Sequence, residues 1–336
     1  MTAVDVAGDP TAPPGLLARF LSNPWTRFAA RRLGRLLVSL WVLITASFLM
    51  IHLIPGDPVR GALGPTAPPA LVASTREALG LNDPLAVQYV DHLRALLSGD
   101  LGTSMISKLP VSDIIAQRLP ATMALAVLAF LVAVSVAVPL GVAMGVLTRR
   151  GRRRRTELGF TATSVVLGTV PDIIVGVVLV YIFAVKLGWV PVAGRSGPDS
   201  YILPVLALAI GPAVILARII RVEMITVLEA DFVRTARAKR LPSWVIYLGH
   251  AFPNALTASL TIAGLLLSSL VAATVLVENV FAWPGLGGTI VQSILNKDYM
   301  VAQATVLVYG TFVLLVNLAV DVILALLDPR SLIRQD

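Results

Sequence analysis

The sequence predicts an all-α, polytopic membrane protein with six transmembrane helices, and three observations carry that prediction. Of 336 residues, 57% are hydrophobic and only 14% charged, and the mean hydropathy of +0.84 lies above the range of chains that bury one core in water. Several apolar stretches reach the roughly 20 residues that a helix needs to cross about 30 Å of hydrocarbon. The basic residues stand in short runs beside those stretches rather than across soluble faces. A formal charge of +8 could suggest a nucleic-acid partner, but that placement reads as membrane topology. The absence of cysteine excludes disulfides and thiolate metal sites and leaves the redox compartment open.

The first span runs from about Leu33 to Ile54 behind Arg27, Arg31, Arg32 and Arg35. It is too long for the apolar core of a secretory signal and reads as an uncleaved helix after a cytoplasmic segment, 1–32. Pro55-Gly56-Asp57-Pro58 ends it, because proline lacks the backbone donor and clashes with the preceding turn. Residues 55–118 are polar enough for an extracytoplasmic loop domain, with short helices near Ala70 to Leu79 and Pro84 to Leu97. Five more spans fall within a transmembrane core, 119–330: about Ala121 to Leu147, Leu158 to Val185, Ile202 to Ile220, Ala255 to Val277 and Val301 to Leu327. A long loop, 223–253, separates the fourth span from the fifth, and a tail, 331–336, closes the chain.

Six spans put both termini on one side. Nineteen of the 27 Lys and Arg residues fall on that side, among them the Arg149–Arg155 run and Arg234–Arg240; the other eight are Arg60, Arg76, Arg94, Lys108, Arg118, Lys186, Arg195 and Lys297. The positive-inside rule therefore places the termini and loop 223–253 in the cytoplasm and 55–118 outside. Each arginine at mid-membrane costs about 2.5–3.5 kcal/mol on insertion scales, so the reverse orientation is heavily disfavoured. The Arg149–Arg155 run, directly after span two, reads as an anchor on anionic membrane lipid and not as a nucleic-acid patch.

Loop 223–253 contains Glu229-Ala-Asp-Phe-Val-Arg-Thr-Ala-Arg-Ala-Lys-Arg240-Leu-Pro242, helical by its Ala, Arg and Lys content and stopped by Pro242. A short basic helix at the membrane face serves either as an interfacial lipid anchor or as a docking element for a cytoplasmic partner. Asp172 follows Pro171 inside span three. An intramembrane carboxylate faces a bundle interior or a water-filled path, so Asp172 is expected to line such a path across the membrane and to hold an amine there, unless it pairs with a neighbouring span or is solvated in a cavity. Asp321 is expected to pack with Asn317 one turn away, and Glu278 to sit on a solvated face at the outer end of span five. Trp283-Pro284-Gly285 reads as a tight external turn with an interfacial tryptophan. No phosphate-binding Gly-x-x-x-x-Gly-Lys-Ser/Thr loop occurs, nor His-Glu-x-x-His or Gly-x-Ser-x-Gly, and the three histidines are far apart, so neither ATP hydrolysis, a metal site nor other enzyme activity is expected of this chain.

Phe232-Val-Arg-Thr-Ala-Arg-Ala-Lys239 followed by His250-Ala-Phe-Pro253-Asn254-Ala-Leu resembles the cytoplasmic signature loop of ABC importer permeases, in their dipeptide and oligopeptide branch. Further blocks fit the same branch in order: Ile54-Pro-Gly-Asp-Pro-Val59, Gly99-Asp-Leu-Gly-Thr-Ser104, Arg118-Leu-Pro-Ala-Thr122, Val277-Glu-Asn-Val-Phe-Ala-Trp-Pro-Gly-Leu-Gly287, Asn317-Leu-Ala-Val-Asp321 and Leu327-Asp-Pro-Arg330. The resemblance implies the type I ABC importer permease fold in a bacterial cytoplasmic membrane. It also implies a second homologous permease, two ABC ATPase subunits that use ATP and Mg, an external substrate-binding protein and a peptide substrate, with no cofactor bound by this chain. It makes Arg234, Thr235, Ala236, Arg237, Ala238, Lys239 and Arg240 the ATPase-coupling segment. There Ala236 and Ala238 allow close approach, and Arg237 or Lys239 pairs with acids on the partner. It assigns Trp283, Pro284 and Gly285 to the outer mouth. Arg240 stands where the branch has glycine, and an arginine at positive φ is expected to be strained. Related permeases carry nickel, glutathione or other small solutes. Outside the family, the competing reading is a proton-coupled secondary transporter using Asp172 or Asp321.

Overall fold

The computed structural model describes residues 24–53, 57–64, 66–78 and 80–327. The chain before Pro24, residues 54–56 of the first motif block, Leu79, the Asp328-Pro-Arg330 end of the last block and the tail lie outside the described residues. Among the described residues there is no β-strand, only an isolated bridge between Thr103 and Pro110.

Twelve α-helices are described. The first span is α1 (Pro24–Leu53), and the region after it carries α2 (Pro58–Leu63), α3 (Pro69–Ala78) and α4 (Leu85–Leu97). The second span, α5 (Val111–Thr148), starts ten residues before the hydropathy predicts and runs through Pro120 and Pro139 without breaking. Its 38 residues cover about 57 Å at 1.5 Å per residue, more than the hydrocarbon core. The third predicted span is not one rod. It divides into α6 (Arg154–Thr169) and α7 (Asp172–Leu179), the latter extended by a π-helical turn to Lys186, and the two arms bend by 96°. Pro171 supplies no backbone N–H and pushes Val170 to an extended conformation, φ −70° and ψ 125°. Among the described residues there are thus five helices long and apolar enough to cross a membrane, and six spans when the bent pair counts as one.

The remaining elements are α8 (Ile202–Glu229), α9 (Asp231–Ala238), α10 (Phe252–Val280), α11 (Leu286–Leu295) and α12 (Tyr299–Leu327). At the centre α5 and α8 run side by side in the same direction along most of their length. They fit because α5 carries Ala129, Ala133, Ala137, Gly141 and Gly145 at four-residue spacing, all buried. A Cβ on Gly145 would lie 2.6 Å from Cβ of Met224, so only glycine permits this approach. Small residues that let backbones pack closely are the main source of helix association where lipid removes the hydrophobic drive.

Around this pair α10 packs on α8, α5 and α12; α11 is wedged among α10, α12 and α5; and α1 lies outermost, against α12. Arg32 of α1 pairs with Asp321 of α12. That corrects the expected Asp321–Asn317 contact: a full opposite charge across the helix interface outcompetes a neutral amide on the same helix. Near the other end of α1, Thr45 meets the Tyr89 hydroxyl at 2.9 Å, and Phe48 meets the Tyr89 ring edge-on and the His92 ring at a tilt, which ties α4 to the bundle. The bundle has two distinct ends. One gathers the Arg149–Arg155 turn, α9 and Lys239–Arg240; the other gathers α11, Trp283 and residues 98–110.

Candidate functional site

At the basic end, α9 follows α8 after a single extended residue, Ala230. Its buried face is Val233 and Ala236, which pack with Leu228, Ile246 and Met224 in one apolar cluster. Arg237 sends Nη2 to the Leu228 carbonyl at 3.3 Å. The opposite face presents Phe232, Thr235, Ala238 and Lys239, all exposed, with Arg234 paired to Asp231 at 3.2 Å. The placement corrects the sequence expectation for Ala236, which is buried in the chain's own core; of the two alanines only Ala238 is open to a partner. Phe232, 47% exposed on a short polar helix, was not singled out in the sequence, although an aromatic at the first turn of a basic segment is a signal for an exposed contact residue.

The helix closes through paired hydrogen bonds, Leu241 N–H to the Ala236 carbonyl at 3.3 Å and Arg240 N–H to the Arg237 carbonyl at 2.9 Å. This is the Schellman arrangement, and it puts Arg240 in the left-handed region with φ +55°. The expectation of strain at the glycine position therefore holds geometrically. Beside α9, Arg221 is buried and donates Nε to Thr148 Oγ1 at 2.9 Å and Nη2 to Glu157 at 2.6 Å, joining α8, α5 and α6. Counted in the sequence only as a topology charge, it is a cross-helix brace.

Asp172 is the first residue of α7, immediately after the 96° break, half-buried beside Gly211 of α8. It makes no hydrogen bond or ion pair to the described residues. A Cβ added at Gly211 would lie 3.5 Å from Asp172 Oδ1, in ordinary contact.

At the other end, two expectations are corrected. Glu278 is fully buried, not solvated. It accepts hydrogen bonds from Thr122 Oγ1 at 2.6 Å and from Gly288 N–H at 3.0 Å, while Leu286 N–H donates to Thr122 Oγ1 at 2.8 Å. Trp283 is buried rather than interfacial: its Nε1 donates to the Ala121 carbonyl at 3.2 Å and its ring meets Tyr201 edge-on at 4.6 Å. Pro284 follows half-exposed, and Gly285 is packed so closely on the Glu278 carboxylate that a Cβ there would lie 2.4 Å from it. The Trp283–Gly285 turn is thus a clamp that fixes the start of α11. The nearby run of glycines after a tryptophan was the only sequence signal, because Thr122 is 156 residues away.

The chain matches the family model for the binding-protein-dependent transport system inner membrane component over residues 137–333, and the model for the N-terminal part of such components over residues 25–126. It is 38% identical over 302 residues to the glutathione transport system permease protein GsiC of Salmonella typhimurium, covering 90% of this chain and 97% of that protein. Against GsiC of Escherichia coli it is 36% identical over 303 residues with the same coverage. In fold it is similar to a chain of the MetNI methionine ABC transporter in an inward-facing conformation, with a TM-score of 0.55 at 20% identity over 64% of this chain and 96% of that one. From these matches and from a broken-helix bundle that spans an apolar phase, the chain belongs to the binding-protein-dependent inner-membrane components, the non-enzymatic, multi-pass permease subunits of ABC importers.

Proposed function

We propose that this permease imports glutathione or short peptides of similar chemistry, and that α9 is the element through which a separate ABC ATPase drives it. The observation that carries the coupling half is the division of α9. Val233 and Ala236 anchor one face in the transmembrane core, while Phe232, Thr235, Ala238 and Lys239 stay exposed on the other. A push on the exposed face therefore reaches α8 and α10 through packed side chains. Charge distribution along the sequence puts this face in the cytoplasm, where ATP is. The ATPases and a second permease complete the transporter, and an external binding protein delivers the solute. In this reading Arg234, Lys239 and Arg240 meet acids on the ATPase.

The cargo half rests on relatives named as glutathione permeases and on the dipeptide and oligopeptide pattern of the motifs. Glutathione is itself a tripeptide, so both point to a small solute with amides and free carboxylates. The test is uptake into proteoliposomes that contain this chain, its partner permease, the ATPases and the binding protein. Labelled glutathione and labelled trialanine are compared, with internal ATP and no proton gradient. ATP-dependent uptake of either supports the reading and identifies the cargo. Uptake that follows a proton gradient without ATP overturns it.

A further inference from the structure

Beside the Glu278 clamp, at the end opposite α9, lies a cavity of about 430 Å³, walled on one side by the Trp283–Gly285 turn. Its lining mixes polar groups with apolar ones such as Ile106, Ile114 and Val301, and its charged groups are Arg118, Glu278 and Asp298. The two carboxylates are committed. Glu278 is held by Thr122 and the Gly288 N–H, and buried Asp298 accepts from Ser104 Oγ and from the Met105 N–H at 3.3 Å. Arg118 is exposed and makes no ion pair or hydrogen bond to the described residues. It is therefore the one uncommitted charge on the lining. Around it stand the amides of Gln292 and Asn296, both exposed, and Asn279, whose Nδ2 is used by the Val275 carbonyl at 2.7 Å, leaving its Oδ1 available.

We propose that this cavity is a solute vestibule of the permease that reads a free carboxylate through Arg118 and peptide amides through Asn279, Gln292 and Asn296. A guanidinium matches a carboxylate with two parallel donors, and side-chain amides offer both donors and acceptors to peptide groups. The wall is rigid, since the Trp283 hydrogen bond and the Glu278 clamp fix the turn and α11 before any solute arrives, so binding orders little protein. The vestibule rests on the importer reading and adds a recognition step at the permease itself, separate from the binding protein.

The chain has no cysteine, so one placed on the cavity lining reports on it alone. Ser107→Cys is nearly isosteric and sits on the exposed part of the lining. In the assembled transporter, without binding protein, the rate at which a membrane-impermeant maleimide labels this cysteine is measured against increasing trialanine or trialanine amide. Trialanine is expected to slow labelling, the amide to do so only at about tenfold higher concentration, and Arg118→Gln to remove that difference while Arg118→Lys keeps part of it. Equal protection by acid and amide, or no protection at all, overturns the proposal. So does loss of binding-protein association in Arg118→Gln with labelling unchanged, which would give Arg118 to protein docking. ATP-driven uptake by the same preparation separates the two readings: intact uptake without protection sinks the vestibule and leaves the importer standing.

Discussion

The two ends of the bundle handle polarity in opposite ways. At the clamp end, Glu278 is withdrawn from solvent, its oxygens taken by Thr122 and Gly288, and the glycines of the turn close over it. At the basic end, α9 keeps its apolar face inward and leaves Phe232, Ala238 and Lys239 exposed on the other, where Arg234 and Thr235 bond only to Asp231 of the same helix. Buried polar groups are costly unless satisfied, and once satisfied they fix one geometry. Exposed ones cost little and remain free for another molecule. The clamp end is therefore built to hold a shape, and the basic end to present one.

The largest expected effect tests the clamp. Glu278→Ala leaves the Thr122 hydroxyl and the Gly288 N–H without their acceptor and opens a cavity. It should destabilise the protein by about 3 kcal/mol, read as a lowered thermal midpoint in mild detergent. An unchanged midpoint would mean the clamp holds nothing. Next, Gly145→Val drives a side chain into Met224 and the Arg221 carbonyl at the α5–α8 seam and should cost about 2–3 kcal/mol by the same assay.

At the basic end the effects are smaller and one has the opposite sign. Arg240→Gly relieves a left-handed arginine and should raise stability by about 0.5–1 kcal/mol after allowing for the added freedom of the unfolded chain. The smallest effect lies in the loop region. The hydrogen bond from Arg76, 2.6 Å away, with the Val59 N–H assisting, holds the Asp57 carboxyl below the usual carboxylate range. Because the folded value is depressed, that contribution is complete above about pH 4 and disappears as pH falls through the folded value. The pair is partly exposed, so it is worth less than about 1 kcal/mol. Proteolysis of α2–α3 should accelerate on acidification in the wild-type chain, and Arg76→Ala should flatten that dependence.

Hydropathy was enough to read the membrane class, and motif order was enough to read the family, because both are properties of contiguous residues. The α9 segment and the positive φ at residue 240 were legible for the same reason. What stayed hidden depends on distant partners. Glu278 looks like an exposed helix end until Thr122 and the Gly285–Gly288 turn are brought to it. Asp321 finds Arg32 rather than Asn317. The break at Pro171 was marked by the proline itself, but apolar residues continue on both sides, so a hydropathy window passes over a 96° bend. Ala236 and Ala238 are equivalent as letters and differ only in which face of α9 meets the core.

That last difference gives the most direct test of the coupling role. Ala238→Trp and Ala236→Trp are each purified from native membranes in mild detergent, and the co-purifying ATPases and second permease are quantified by mass spectrometry. Ala238→Trp should keep its fold and its partner permease while losing most of the ATPase, whereas Ala236→Trp should lose stability outright. Retention of the full ATPase complement by a folded Ala238→Trp chain would contradict docking through the exposed face of α9.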